Sequence, residues 1–250
     1  MKWLSVFTLL CILTGCASNP QEKRLLATLY AQKSAESRAL YYQAFEQAKM
    51  RLTFKLANRS SSKIPAVVLD VDETIIDNSA FQAQLYKDKK SYNKKTWDHW
   101  IQAAVGTALP GAKSFLDFAK RKGVAVILIT NRRIKNFEPT FKNLKEEGLI
   151  LKRSQLIMRT DVSSKDKRRH DVMKKYEILL LLGDSLGDLS GAFEVGDTRQ
   201  RNLEVDKQKR RFGRDYIIFP NPMYGLWERK LGVDPKAFLE GYKKAKKSSK

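Results

Sequence analysis

The chain has 250 residues, 42% hydrophobic and 30% charged, with 48 Lys plus Arg against 27 Asp plus Glu for a formal charge of +21. A chain this apolar and aromatic folds, and its length suits one large domain or two small ones. Two cysteines exclude a disulfide-built scaffold and a multi-cysteine metal module. The charge points to an anionic partner: nucleic acid, a membrane face or a phosphorylated substrate.

Residues 3–13 form an apolar stretch behind Lys2. It is too short to cross the roughly 30 Å of a bilayer core, which takes about 20 residues, and reads as a signal peptide over residues 1–15. Leu13-Thr14-Gly15-Cys16 resembles a bacterial lipobox, in which the cysteine is lipidated and becomes the mature N-terminus. Cys11 then leaves with the signal, and acyl chains on Cys16 anchor the protein at ~0.8 kcal/mol per buried CH₂. Ala17 after Cys16 favours the outer membrane. The expectation is a bacterial envelope lipoprotein whose chain after Asn19 stands in water beside the membrane.

From Pro20 to Asn58 the sequence lacks glycine and repeats Leu25, Leu29, Tyr41, Phe45, Ala48, Leu52 and Leu56 at roughly helical spacing, which predicts one long or two medium helices. A polar turn at 58–63 leads to a β-branched run ending at Leu69 and Asp70. Three similar runs follow at Val124–Thr130, Leu156–Met158 and Ile178–Leu182, with a last one at Tyr216–Phe219. Helical segments at 112–122, 138–147 and 164–175 lie between them, punctuated by Gly123 and Gly148. Strands that are continuously apolar and alternate with helices predict an α/β fold, a parallel sheet covered on both faces. Such sheets carry their sites at the carboxyl ends of strands. Those ends are Asp70, Thr130 and Asp184.

Asp70 and Asp72 are two carboxylates two residues apart just beyond a buried strand. A pair this close binds a metal or splits in pKa. Both outcomes serve phosphoryl transfer: an ionised carboxylate attacks phosphorus while a protonated neighbour donates to the leaving oxygen. Asp184 and Asp188, four apart after another strand, suit an octahedral Mg²⁺. Thr130, Asn131 and Arg132 offer a hydroxyl and backbone N–H groups to phosphate oxygens, and Lys165 offsets developing charge.

The order Asp-x-Asp-x-Thr, Thr-Asn-Arg, Lys-x-x-Arg-Arg, Gly-Asp-x-x-x-Asp resembles the four motifs of the haloacid-dehalogenase (HAD) superfamily. More narrowly, Val68–Ser79, Trp97-Asp-His-Trp100, Leu109-Pro-Gly111, Ile129-Thr-Asn-Arg132, Leu182-Gly-Asp184 and Phe219–Trp227 resemble the class C acid phosphatases, bacterial lipoproteins that hydrolyse phosphomonoesters including nucleoside monophosphates. The resemblance runs from about residue 20 to about 230. It implies a Rossmann-like HAD core at 64–77 and 110–234, with a small helical cap at 78–109. Outside these would lie an N-terminal helical segment at 16–63 and a basic tail at 235–250.

The resemblance makes Asp70 the nucleophile and Asp72 the general acid/base. Asp70, the backbone carbonyl of Asp72, and Asp184 would hold Mg²⁺, with Asp188 fixing metal-bound waters or the motif lysine. Thr130 and Lys165 would hold the phosphate, Lys167 being the rival for the lysine role, with Asn131 and Arg132 beside them. Trp97 and Tyr224 would stack on a nucleobase, a contact worth ~1–3 kcal/mol, and Trp100 reads as cap core. One departure is Gly187, where relatives commonly carry a second acid before the position of Asp188. His99 and His170 read as surface residues, and Asp77 and Asn78 as residues that order the turn into the cap.

The partners expected are small phosphomonoesters and a membrane, with no stable nucleic-acid partner. Three functions compete: an Mg²⁺-dependent acid phosphatase, a transferase passing the same phosphoryl group to alcohols, and a non-catalytic basic lipoprotein that captures haem, nucleic acid or other anions.

Overall fold

The computed structural model describes residues 22–232 and 235–241. The signal stretch, Cys16 and most of the basic tail lie outside the described residues. A 3₁₀ turn at Glu22–Arg24 leads into α1 (Leu25–Lys33) and α2 (Ala35–Ala57). They part at Ser34, whose backbone is extended (φ −77°, ψ 135°) and whose hydroxyl accepts the Ser37 N–H at 2.9 Å, capping the second helix. β1 (Ile64–Leu69) follows. The chain then leaves the core through β2 (Ile76–Asp77), runs along α3 (Ser79–Lys87) and α4 (Lys94–Ala103), and returns on β3 (Thr107–Ala108), paired antiparallel with β2. This excursion is thus a helical pair on a two-stranded neck, and Asn93 starts its second helix by accepting the N–H groups of Lys95 and Thr96.

The alternation resumes with α5 (Ala112–Arg121), β4 (Ala125–Arg133), α6 (Phe137–Glu146), β5 (Leu156–Arg159), α7 (Asp166–Lys175) and β6 (Tyr176–Gly183). It closes with α8 (Leu186–Leu189), α9 (Thr198–Lys207), β7 (Tyr216–Ile218) and α10 (Leu226–Arg229). Two differences from the sequence reading bear on function. β4 does not stop at Thr130 but continues to Arg133, with its register against β5 shifting between Ile129 and Arg133. Thr130, Asn131 and Arg132 therefore ride on an irregular strand end, not on a free loop. α9 carries almost no apolar stripe, so periodicity does not reveal it; Asp197 and Gln200 define its start by bonding each other's backbone N–H at 2.8 and 3.0 Å.

The five main strands are all parallel, in the order β5-β4-β1-β6-β7. Val67 and Leu69 point into a large core shared with Phe45, Leu52, Phe115, Leu116 and Leu144, which α2, α5 and α6 supply. Ala66, Val68, Ile127 and Ile129 point the other way, toward Val172 of α7. Period-two alternation with both faces buried is why these strands read as unbroken apolar runs. Each fully buried Leu or Phe here contributes about 1.5–3 kcal/mol. From β1 the chain builds outward in both directions, to β4 on one side and β6 on the other. The crevice beyond the carboxyl end of β1 is the topological switch point of the sheet.

Candidate active site

Asp70 sits at that crevice. Its backbone N–H still reaches Leu182 of β6 at 3.0 Å, so the strand pairing fixes where its side chain emerges. Past it the chain makes a single tight turn: the N–H groups of Ile75 and Ile76 both reach the Val71 carbonyl, at 3.0 and 2.9 Å. The turn forces Glu73 into left-handed backbone at φ 56°, unusual for a residue with a side chain. It is held there from outside, because the Tyr41 hydroxyl of α2 donates to the Glu73 carbonyl at 2.7 Å and also reaches the Pro220 carbonyl at 3.1 Å.

Four acids converge at the carboxyl ends of β1 and β6. Carboxylate oxygens of Asp70, Asp184 and Asp188 lie within 4.8 Å of one another. Lys165, only 3% exposed at the start of α7, bridges two of them, meeting Asp70 Oδ1 directly and Asp188 Oδ1 at 2.6 Å. Lys167 is out in solvent on Asp171, so Lys165 is the lysine of the site. Asp188 is committed on both oxygens, since Oδ2 accepts the Ser185 N–H at 3.0 Å. It can tuck in so closely only because residue 183 is glycine: a Cβ there would collide with the Asp188 side chain. Gly187 faces the Glu194 carboxylate, 2.9 Å from where its own Cβ would be. An acid at 187 would meet like charge, which accounts for the departure noted in the sequence. Asp184 Oδ2 accepts from Asn221 Nδ2 at 2.8 Å.

Burial, reinforced by the charges of Asp188 and Asp72, raises the Asp70 carboxyl to about 7 against the pull of Lys165. Burial, then Asp188 and Asp70, likewise raises Asp184 well above the ordinary carboxylate range. Burial works against the Lys165 ammonium, but Asp188 and Asp70 outweigh it and hold the charge more firmly than in water. An all-oxygen, carboxylate-rich trio whose ionisation is held back by burial is matched to a hard divalent cation, which would keep it ionised. Among the described residues, no His or Cys lines the cleft.

Asp72 is differently served. Its Oδ1 receives three donors: Arg132 Nε at 2.9 Å, the second Arg132 nitrogen at 2.8 Å and Asn78 Nδ2 at 3.0 Å. Oδ2 makes no hydrogen bond among the described residues. Asn78 is wholly buried and is itself pinned, its Oδ1 accepting from Trp100 Nε1 at 2.8 Å and its N–H and Nδ2 held by the Glu73 carboxylate at 2.9 and 3.2 Å. Arg132, expected beside the substrate, is turned onto Asp72, with a further contact to Thr140 at 3.3 Å. Thr130 is fully buried and its hydroxyl accepts the Arg132 N–H at 3.1 Å; Asn131 and Arg132, rather than Thr130, form the cleft wall. Asn131 accepts from Arg168, which also donates to the Thr130 carbonyl.

These groups line one cleft of about 710 Å³, together with Trp97, Tyr92 and Tyr224. Trp97 packs edge-on against Phe81 at 5.2 Å, with the Arg132 guanidinium 5.8 Å over its ring. The Tyr224 hydroxyl donates to the Glu73 carboxylate. His99 and His170 are exposed and lie off the cleft. Glu73, Asn221 and Trp100 are members of this network that sequence reasoning did not single out for the site. Each nevertheless lies inside a stretch that carries the class C resemblance: Glu73 in Val68–Ser79, Trp100 in Trp97–Trp100 and Asn221 in Phe219–Trp227.

Comparison with known proteins gives the family. Residues 15–227 match the HAD superfamily, subfamily IIIB (Acid phosphatase). The chain belongs to this family. A class C acid phosphatase from Bacillus anthracis superposes with a TM-score of 0.86 at 35% identity, over 90% of this chain and 100% of that one. A structure of the class C acid phosphatase from the same organism with tungstate bound gives 0.85 at the same identity and coverage. Acid phosphatase 1 of Solanum lycopersicum is 25% identical over 132 residues; the match spans 50% of this chain and 52% of that relative, so the match takes in about half of its length.

Proposed function

We propose that the protein is a divalent-metal-dependent phosphomonoesterase that works through a phosphorylated Asp70. The observation that carries this is the single ammonium of Lys165 bridging Asp70 and Asp188, with Asp184 inside the same 4.8 Å cluster. An acid nucleophile attacking a phosphate dianion needs its repulsion offset, and this cluster is built to do so. Asp70, Asp184 and the carbonyl of Asp72 would hold Mg²⁺, which when bound supplies positive charge against the phosphate oxygens. A class C acid phosphatase from Bacillus anthracis, 35% identical, has a structure with tungstate bound, and an oxyanion bound to that relative supports the reading of an anionic ligand here.

The chain's own residues then divide the work. An Asp70 oxygen forms a bond to phosphorus as the bond to the ester oxygen breaks, and Lys165 steadies the charge. Asp72 gives its proton to the departing oxygen. Since Oδ1 already accepts three hydrogen bonds, that proton resides on Oδ2, the oxygen left free for the cleft. In the second half Asp72 removes a proton from water, the water oxygen bonds to phosphorus, and the Asp70 ester breaks to restore the carboxylate. Arg132 and Asn78 are positioning residues for Asp72.

Nucleoside monophosphates are the proposed substrate class, with Trp97 and Tyr224 offering ring faces to the base, and attachment to the bacterial envelope through a lipidated Cys16 is proposed from the lipobox alone. Among the described residues no helix is long and apolar enough to cross a membrane. The test of function is phosphate release from p-nitrophenyl phosphate with Mg²⁺. Asp70→Asn should abolish it with the fold intact by circular dichroism, and EDTA should stop the unmodified enzyme. Activity retained by the variant would sink the mechanism, whereas anion capture that survives EDTA without turnover would favour a binding protein. Partition of the full-length protein into detergent, lost in Cys16→Ser, tests the anchor.

A further inference from the structure

Arg133 and Arg159 end β4 and β5 and are register partners across that parallel pair. Strands so paired stand about 4.8 Å apart, and side chains at matched positions leave the same face. Like charges placed opposite one another weaken a strand pair. Both residues are half-buried, both line the cleft, and neither side chain makes a hydrogen bond or ion pair among the described residues. Three other cations of the same cleft are engaged, Lys165 by Asp70 and Asp188, Arg132 by Asp72 and Arg24 by Glu228, while Lys94 and Arg229 line it from other elements and do not share this register. Asp98, the acid sharing this stretch of wall, is held by Lys135 at 2.5 Å and Asn136 at 2.8 Å. The Tyr92 phenol, raised above its usual pKa foremost by burial, is pulled back by the fields of Arg159 and Arg133, so both guanidiniums bear on the cleft interior. Sequences break a local pairing rule chiefly at functional sites.

We propose that Arg133 and Arg159 form a second anion subsite that receives a second phosphate of the substrate while the first is attacked by Asp70. Two planar forks side by side match the oxygens of a phosphate dianion, and a cleft of about 710 Å³ admits more than one phosphate. The substrate class is a small phosphomonoester carrying a second phosphate, such as a nucleoside 3′,5′-bisphosphate. The subsite rests on the phosphatase reading above.

The test compares kcat/KM for first-phosphate release from adenosine 3′,5′-bisphosphate and adenosine 5′-monophosphate, using the full chain with Mg²⁺. The bisphosphate should be preferred by about tenfold, or about 1.4 kcal/mol, expressed mainly in KM and shrinking with added salt. Arg133→Gln and Arg159→Gln should each bring the ratio toward one. Lys142→Gln, which removes an exposed cation of α6, should leave it in place. A ratio near one in the unmodified enzyme overturns the subsite, as does an equal fall in the Lys142 variant, which would mean a general charge effect. Arginine variants that slow both substrates in proportion overturn it too, because the pair would then serve only the wall. No turnover of p-nitrophenyl phosphate by the unmodified enzyme defeats the phosphatase reading itself; turnover without preference defeats only the subsite.

Discussion

The floor of the cleft and its β4–β5 wall handle charge in opposite ways. On the floor every acid has a partner: Lys165 spans Asp70 and Asp188, Asn221 holds Asp184, and Arg132 with Asn78 holds Asp72. On the wall two arginine side chains stand side by side without one among the described residues. A buried charge must be matched within the fold or its ionised form is lost, whereas a charge at a wet wall can wait for a ligand. The floor is finished by the protein; the wall is finished by what binds.

The largest effect should come from breaking the floor's balance. Lys165→Met leaves Asp70 and Asp188 facing each other without a counter-charge. Loss of one partner of a buried set costs about 3–5 kcal/mol, and kcat should fall by about 10²–10³. A chemical melt and p-nitrophenyl phosphate turnover would read both, and a stable, active variant would show the floor is not balanced by this residue.

Next comes the orientation of Asp72. Asn78→Ala should cost about 10²-fold in kcat/KM on alkyl phosphates, whose leaving oxygen needs a proton. It should cost far less on 2,4-dinitrophenyl phosphate, whose leaving group departs without one. Equal losses on both substrates would reduce Asn78 to a structural residue.

A third test uses pH. Asp70, raised to about 7, and Asp184, raised well above the ordinary range, have folded pKa values above the unfolded value near 4. Their contribution to metal-free stability is therefore full below about pH 4 and is lost as pH climbs through about 7. Mg²⁺ should raise the thermal midpoint more at pH 7.5 than at pH 4.5, by scanning fluorimetry with and without the ion. A shift equal at both values would detach the metal from these carboxylates. The smallest effect is expected at Gly187→Ala, which crowds only the flexible end of Glu194 and should change stability by under about 1 kcal/mol.

The sheet and the acids at its strand ends were legible because both follow short-range rules. Val67, Val68 and Leu69 are β-branched or aliphatic and unbroken, and polar residues at the ends of such runs mark the crevice. The Lys-x-x-Arg-Arg spacing favours Lys165 over Lys167, and the fold supplies the physical difference: two residues apart on a helix start, one is buried and the other is not. Arg132 was misplaced for a similar reason: an arginine beside a phosphate motif suggests the phosphate, and only the tertiary approach of Asp72 across 60 positions shows where its nitrogens go. Asn221 and Trp100 act through partners far away in sequence, so no spacing rule could find them. The wall pair escaped notice because register between β4 and β5 depends on an irregularity after Ile129 that no pattern predicts.

Tyr41 has a consequence for how the fold is completed. Its one hydroxyl ties the Glu73 carbonyl, beside Asp70, to the Pro220 carbonyl, beside the residue that steadies Asp184. The longer arm of this clasp spans 179 positions of chain, and a contact of that separation is slow to form because a long loop has to close first. Asp70 and Asp184 therefore gain their final setting together, when α2 meets the loop after β7.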